Sequence, residues 1–470
     1  MDVLLLKPYS DIFNVVAPLG LGYLAAALKK EGISSRIINL NKDRFTIPEL
    51  ADFIKREKIS VVGVSCCSNE HSWLEDFSRI LEYLPEVSLV AGGPHPTGLS
   101  KRLMELIPRI NFIIRAEAEE SLPQLVRILI NRRTDDFSLS NIANLVWRDN
   151  SGSLIENTLR FPDNLDALEF PDWNALSPAD YSRFSPHGGF RKSLPVAQII
   201  TTRGCPCACR YCAAELMNGK ALRKRSCRSV LSEIDYLVNK HNVKEIHIED
   251  DNFTFDKNHA LGICRAIQKS GYKLYFGLPN GIRLDRFDEE VLKELKNTGF
   301  YFFSLGIESG SPATLKKMGK FIDLDKVKSA LSLMRRYDFI IKGFFIIGYP
   351  GETKKDIFKT IEFAKSLDLD QAFFSFYIPF PGTPEFSRLE AEGKIDTTSC
   401  NWDNFYSGKF TKPPYIPEGI NEQELKKMLA LAFRSFYFRP KIAVRLVKDF
   451  HSFVHVKSVF RAVLSLMSKA

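Results

Sequence analysis

Two successive α/β units followed by a helical tail are what this sequence predicts, and three observations carry the reading. Strand-like apolar runs alternate with helical spacing from Val3 to Asn131. The alternation lapses across a proline-punctuated stretch and resumes from Val196 to Tyr377. Beyond Trp402 the pattern turns helical and basic. Length agrees, because 470 residues exceed what one hydrophobic core usually covers.

In the first unit, residues 1–135, Asp2–Leu6 is an apolar run ending at Lys7-Pro8, and Leu19–Leu28 then carries helical spacing to Gly32. Ser34–Leu40 reads as the next strand, Ile47–Lys58 as a helix and Val61–Ser65 as a third strand. Helix Trp73–Leu84, strand Val87–Ala91, a Gly92-Gly93 turn, strand Asn111–Arg115 and helix Ser121–Asn131 complete the series. Strands and helices alternating at this pitch predict a doubly wound parallel sheet. Ligands of such sheets sit beyond the carboxyl ends of the strands, here the loops after Leu6, Ser65, Ala91 and Arg115. No Gly-x-Gly-x-x-Gly opens the first helix, so a nicotinamide dinucleotide is not the expected ligand.

Residues 136–190 form a loop-rich connector with one hairpin, Asn144–Arg148 against Ser153–Ile155 across Asp149-Asn150-Ser151-Gly152. The second β/α series, residues 191–395, has strand candidates at Val196–Thr202, Glu245–Glu249, Lys273–Leu278, Tyr301–Ile307, Lys342–Ile347 and Gln371–Tyr377. The loop after its first strand holds Cys205, Cys207, Cys209 and Cys212. Cys205, Cys209 and Cys212 are spaced C-x₃-C-x₂-C, and three thiolates on one tight loop suit an iron–sulfur cluster. A cluster held by three cysteines keeps one iron open to a small chelating molecule. Two other readings exist: Cys207 could complete a closed four-sulfur zinc site, or the thiols could be unligated core cysteines. Alternate residues of an extended loop point apart, which sets Cys207 aside as a bystander.

The motif Thr202-Arg203-Gly204-Cys205-Pro206 with Cys209 and Cys212 resembles the radical S-adenosylmethionine (SAM) superfamily, and later strand ends resemble it in order. They are Glu249-Asp250-Asp251-Asn252, Asn280-Gly281-Ile282-Arg283, Gly306-Ile307-Glu308-Ser309, Gly343–Glu352 and Phe380–Pro384. The resemblance implies a partial (β/α)₆ barrel, a [4Fe-4S] cluster on Cys205, Cys209 and Cys212, and SAM bound at the open iron. It also implies that Tyr211 and Ile346 lie by the adenine, and that Asp250, Asp251, Arg283, Gly306, Glu308 and Ser309 are candidates for the rest of SAM. Helix capping by Asp250 and Asp251, or ion pairing of Arg283 with Asp285 and Asp288, are the structural alternatives.

The first unit is similar to the Rossmann-like cobalamin-binding domain fused to many radical SAM enzymes, through Pro18–Ala25, Gly63-Val64-Ser65, Gly92–Thr97 and Arg115–Glu119. That resemblance implies cobalamin contacts at Gly20, Ser65, Gly92, Gly93 and His95. Ala116 and Ala118 stand where the family has glycines, which bears on how closely that backbone approaches a ligand. The Asp-x-His-x-x-Gly motif of cobalamin carriers is absent, so no histidine is expected on the cofactor's lower face. The implied activity is methylation of an unactivated carbon, driven by a 5′-deoxyadenosyl radical and an external donor such as flavodoxin or ferredoxin. The alternatives are cobalamin-independent radical ring closure or rearrangement, and a zinc-stapled binding protein.

Net charge is +9, yet residues Lys426–Ala470 hold ten Lys and Arg against Asp449 alone, so the rest is nearly neutral. A basic surface confined to the tail argues against nucleic acid. Phe433, Phe436, Phe438, Phe450, Phe453 and Phe460 interleave with these cations across residues 396–470, which suits a peripheral membrane contact, a wall for a lipid-like substrate, or a packed helix. Nine cysteines without a paired spacing, and no apolar run long enough to span a bilayer, predict a cytoplasmic protein in a reducing compartment.

Overall fold

The computed structural model describes residues 1–10, 15–131, 134–283, 288–406, 412–442 and 445. In the first unit β1 (Val3–Lys7), β2 (Ser35–Asn39), β3 (Val61–Ser65), β4 (Ser88–Gly92) and β5 (Phe112–Ile114) form a parallel sheet. Its order is β2-β1-β3-β4-β5, with Val3 opposite Ser35 on one side and Val61 on the other. β1 and β3 are apolar on both faces because helices cover both, the pattern of a doubly wound sheet. The hairpin is not a free linker. β6 (Leu145–Arg148) pairs antiparallel with β5, and β7 (Leu154–Glu156) pairs with β6, so the connector extends the first sheet to seven strands.

The second unit opens with β8 (Val196–Ile199) and the short antiparallel pair β9 (Thr202–Arg203) and β10 (Arg223–Lys224). It continues through β11 (Glu245–Ile248), β12 (Tyr275–Ile282), β13 (Phe300–Glu308), β14 (Ile340–Ile347) and β15 (Gln371–Phe376). Six of these strands, ordered β15-β14-β13-β12-β11-β8, are all parallel and form the partial barrel that the motifs implied. Ile341, Phe345 and Ile347 of β14 point outward into the core beneath the helices, whereas Lys342, Phe344 and Ile346 point inward and stay half-buried.

One apolar core joins the two units, since Leu4, Leu6, Val62 and Val64 of the first sheet share a cluster with Met318, Tyr349, Tyr377 and Phe386. The helix Glu422–Tyr437 is held by a capping box at Asn421 and Glu424. It lays Phe433 and Phe436 against Phe374 of β15. Those two rings are buried, so the described part of the tail spends its apolar face on the barrel rather than on a membrane or substrate. Phe438 is exposed, while Phe450, Phe453 and Phe460 lie outside the described residues. Among the described residues no helix is long and apolar enough to cross a membrane.

Candidate active site

The cysteine loop is shaped by its neighbours before any cofactor is considered. Gly204 has φ 92°, and a Cβ there would lie 2.2 Å from Ala221 O, so only glycine turns the chain into the loop. Gly319, at φ 68°, lets Ala208 O come where a Cβ would stand 2.6 Å away. Arg210 N donates to Met318 O at 3.0 Å, Glu385 N donates to Arg210 O at 3.0 Å, and Arg210 Nε donates to Glu385 at 3.1 Å. Cys209, Cys212 and their neighbours thus hang between two other strand-end loops.

Burial pushes the thiols of Cys209 and Cys212 toward the neutral form, the latter up to about 11, and Lys320 opposes the shift at both. The thiols of Cys205 and Cys207 act on one another, which raises Cys205 and lowers Cys207, the latter helped by Arg283 Nη1 at 3.4 Å from its sulfur. The Cys207 sulfur thus faces Arg283. Among the described residues no three Cys, His, Asp or Glu side chains close on a single ion. A four-iron cube does not ask for that convergence, since each sulfur binds its own iron.

Around the loop, the sequence-predicted residues divide into two groups. Glu308, at φ 66° on the end of β13, pairs with Lys320 at 2.8 Å, and Lys320 lies 3.4 Å from the Tyr211 hydroxyl. A Cβ on Gly306 would meet Lys320 Nζ at 2.7 Å, so this glycine makes room for the pair. Asp251 accepts from Asn218 Nδ2 at 2.9 Å and carries a carboxyl that burial raises, beside Cys205 and Cys212. Ile346 is half-buried on the inward face of β14. These residues, with Arg283, gather at the barrel mouth.

Asp250 and Ser309 do not. Asp250 accepts from Thr201 N, Thr201 Oγ1, Thr202 N and Thr202 Oγ1 at 2.5–3.1 Å, which fills its four lone-pair sites. Burial nonetheless pushes its carboxyl up to about 6. It clamps the turn before the cysteines and has no vacancy for an amine. Ser309 is fully buried against Thr360, 2.9 Å away, and also accepts from Ser311 N. Lys320 was not anticipated: it follows Lys316-Lys317-Met318-Gly319 without periodicity, and only the fold brings it beneath Glu308.

A cavity of about 230 Å³ opens beyond the carboxyl ends of the first sheet. Leu5, Gly63, Val90 and Ile114 floor it, Gly20 and Leu24 flank it, and Ser65, Gly92 and Gly93 form its rim. Gly20 is exposed at the edge of the cavity, and nothing lies within 4 Å of a Cβ built on it. A Cβ built on Gly93, at φ 93°, would meet Cys66 N and O at 3.0 Å. Ala116 and Ala118 both line the space, and Ala116 keeps the left-handed turn, φ 54°, that a glycine would adopt freely. His95 is not in the cavity. Its ring is buried away from it, 2.9 Å from His71 Nδ1, 3.0 Å from Ser68 Oγ and packed on Trp402.

The far wall of the cavity belongs to the barrel: Ile200, Arg203, Met217 and Asn218. Arg203, two residues before Cys205, reaches Glu117 at 2.8 Å and Glu119 at 2.7 Å, and stacks over Tyr23. Arg223 also pairs with Glu117. All four charges are nearly buried, so the cavity and the cysteine loop share one ionic wall.

Fold and site together define a two-unit enzyme in which a Rossmann-like ligand cavity abuts a cysteine-mouthed partial barrel. Comparison with known proteins gives the family. The sequence profile of the Radical SAM superfamily matches residues 199–364, and that of the B12 binding domain matches residues 10–126. The chain is 30% identical to an uncharacterized methyltransferase of Pyrococcus horikoshii over 477 aligned positions, covering 100% of this chain and 99% of that one. It is 26% identical to cytidylyl-2-hydroxyethylphosphonate methyltransferase of Streptomyces wedmorensis, covering 93% and 90%. The fold matches the radical SAM methyltransferase TsrM of Kitasatospora setae, solved with cobalamin and a [4Fe-4S] cluster, at TM-score 0.72 and 17% identity over 100% of both chains. The chain belongs to the radical SAM enzymes that carry a B12 binding domain. The family's cofactors are a four-iron cluster, SAM and cobalamin, and the residues fit them: three soft sulfurs on one loop, opposite charges at Glu308 and Lys320, and a glycine-rimmed apolar cavity without a histidine.

Proposed function

We propose that this enzyme methylates an unactivated carbon of a small molecule with an apolar body, and the observation that carries the reading is the shared wall at Arg203. A cavity for cobalamin and a loop for the cluster are built against one another through Glu117, Glu119 and Arg223. When bound, the cluster and SAM supply a carbon-centred radical and cobalamin supplies a transferable methyl group. Cys205, Cys209 and Cys212 would hold the cluster. Glu308 and Lys320 offer a carboxylate and an ammonium 2.8 Å apart to the amino and carboxylate ends of the methionine moiety, with Tyr211 and Ile346 against the adenine. Asp251 and Arg283 complete the mouth. Gly20, Ser65, Gly92 and Gly93 let the corrin or its tail approach backbone. An apolar body is supported by Phe344, Phe373 and Ile346 on the inner barrel face, a better basis than the tail phenylalanines. A low-potential donor such as flavodoxin or ferredoxin would supply the electron.

Relatives named as anaerobic magnesium-protoporphyrin IX monomethyl ester cyclases, 26% identical over 92% of this chain in Cereibacter sphaeroides, make ring closure the rival outcome. One experiment separates them. Anaerobically reconstituted enzyme is incubated with cell extract, reductant and SAM bearing a trideuteromethyl group, and the products are weighed by mass spectrometry. A product carrying the labelled methyl is expected. Hydrogen loss without label would replace methylation by cyclisation.

A further inference from the structure

We infer that the barrel lumen binds the substrate through an anionic group, a carboxylate, phosphate or phosphonate, seated on Lys342. The inference rests on the radical SAM reading of the same barrel and names the substrate class that reading leaves open.

The lumen is the inner face of the partial barrel. Lys342 is half-buried on its β14 wall, and His187, from the connector, exposes 42% of its side chain. Solvent therefore reaches both side chains in the lumen. Its floor is closed by Phe190, Tyr301 and Phe302, which pack together. Its walls are the inward residues of the strands, and one register layer among them is polar. Ser304 of β13 stands opposite Lys342 of β14, and His187 reaches in from the connector to bond Glu249 at 2.7 Å.

That layer contains chemistry the fold leaves unanswered. Among the described residues Lys342 makes no ion pair; its Nζ has Gly188 O at 3.4 Å and the rings of Phe344 and Phe373 at 5.3 and 5.5 Å. A half-buried ammonium between two aromatic rings keeps its charge free to meet an anion. Beside it Ser304 Oγ is fully buried without a hydrogen-bond partner, and so is Glu249 Oε1. The other Glu249 oxygen bonds His187, whose proton affinity the carboxylate raises against the effect of burial. Burial pulls the Lys342 ammonium down to about 8, which leaves it charged at neutral pH, and two aromatic rings lie beside it. An anion takes the ammonium, while an apolar body lies along Phe344 and Phe373. Glu308 ends the same strand four residues beyond Ser304, about 13 Å along it. The anchored group thus lies below the SAM end and leaves the reacting carbon to extend toward it.

The test uses the full-length reconstituted holoenzyme and three probes: 3-phenylpropionate, phenylphosphonate and the neutral 3-phenylpropan-1-ol. Calorimetry and ligand-observed NMR should show at least one anion binding tenfold or more tighter than the alcohol. Lys342→Gln should erase that ratio and Lys342→Arg should keep most of it. In the wild type, acylation of Lys342 by acetic anhydride, read by peptide mass spectrometry, should slow at least threefold when the anion saturates. The two anions distinguish a planar from a tetrahedral head group. Equal binding of alcohol and anions, a ratio that survives Lys342→Gln, or unchanged acylation overturns the inference, and the acylation arm decides even if the glutamine variant does not fold. Reductive SAM cleavage by the same wild-type sample is scored separately. Cleavage without anion selectivity sinks the lumen site alone, and anion selectivity without cleavage sinks the radical reading alone.

Discussion

The cysteine loop and the cavity of the first sheet meet at Arg203 but hold their ligands by contrary means. The loop offers donors: three sulfurs, with Asp251, Glu308 and Lys320 around them. The cavity offers absence, with glycines at positions 20, 63, 92 and 93 and aliphatic side chains between them. A cluster bonded to sulfur fails when one atom is removed, whereas a ligand held by shape fails when atoms are added. The ionic wall between them belongs to neither rule, because Arg203, Arg223, Glu117 and Glu119 satisfy one another and need no ligand.

The largest effect is expected at the sulfurs. Replacing Cys205, Cys209 or Cys212 by Ala should drop bound iron from about four per chain to well under one, and SAM cleavage by roughly a thousandfold or more. Cys207→Ala should keep its iron despite the contact with Cys205, and iron and sulfide assays under anaerobic conditions read both. If Cys207→Ala lost iron as fully as Cys209→Ala, the three-ligand assignment would fail. Next comes the shared wall. Glu117→Ala strips the buried Arg223 of its carboxylate and Arg203 of one of its two, which costs about 3–5 kcal/mol of unfolding free energy in the denaturant curve. A loss under about 1 kcal/mol would mean that water reaches the pair and that the wall couples nothing. A smaller change is expected at Gly20→Leu, whose side chain would stand at the edge of the cavity with no atom in its way. Corrin uptake should fall about tenfold or more while iron content stays at the wild-type level. Loss of both together would erase the distinction between the two regions.

How much of this was legible follows from the same distinction. The positions of strands and helices could be anticipated because apolar runs and helical spacing are local signals, and the cysteine loop because the spacing of its thiols is one too. The hairpin was seen, but not that β6 would join β5, since pairing partners are chosen by tertiary contacts rather than by the strand's own residues. Strand-end motifs mix two jobs that sequence cannot separate. In one run of letters Glu308 faces the mouth while Ser309 turns to Thr360, and Asp251 meets Asn218 while Asp250 ties down the Thr201-Thr202 turn. Glu352 of the fifth-strand motif is likewise a turn clamp, accepting from Gly348 N and Tyr349 N at 2.8 and 3.1 Å. Lys320, Lys342 and His187 were out of reach for the opposite reason. Each is one ordinary letter until distant strands place it beside Glu308, Ser304 or Glu249.

The finest test of the cavity concerns its two alanines, which read alike in sequence and differ in backbone. Ala116 sits at φ 54°, its N–H donating to Thr97 Oγ1 at 2.9 Å, whereas Ala118 is not in the left-handed region. A Cβ in that region costs about 1–2 kcal/mol. Glycine removes the cost but gives the unfolded chain back about 0.4–1 kcal/mol of entropy. Ala116→Gly should therefore stabilise the protein by about 0.5–1 kcal/mol, and Ala118→Gly, with no strain to relieve, should destabilise it by a similar amount. Opposite shifts of the denaturation midpoint are the expected result. Two shifts of the same sign would mean that the Thr97 bond does not hold the turn as described, and that the methyl of Ala116 is packed rather than strained.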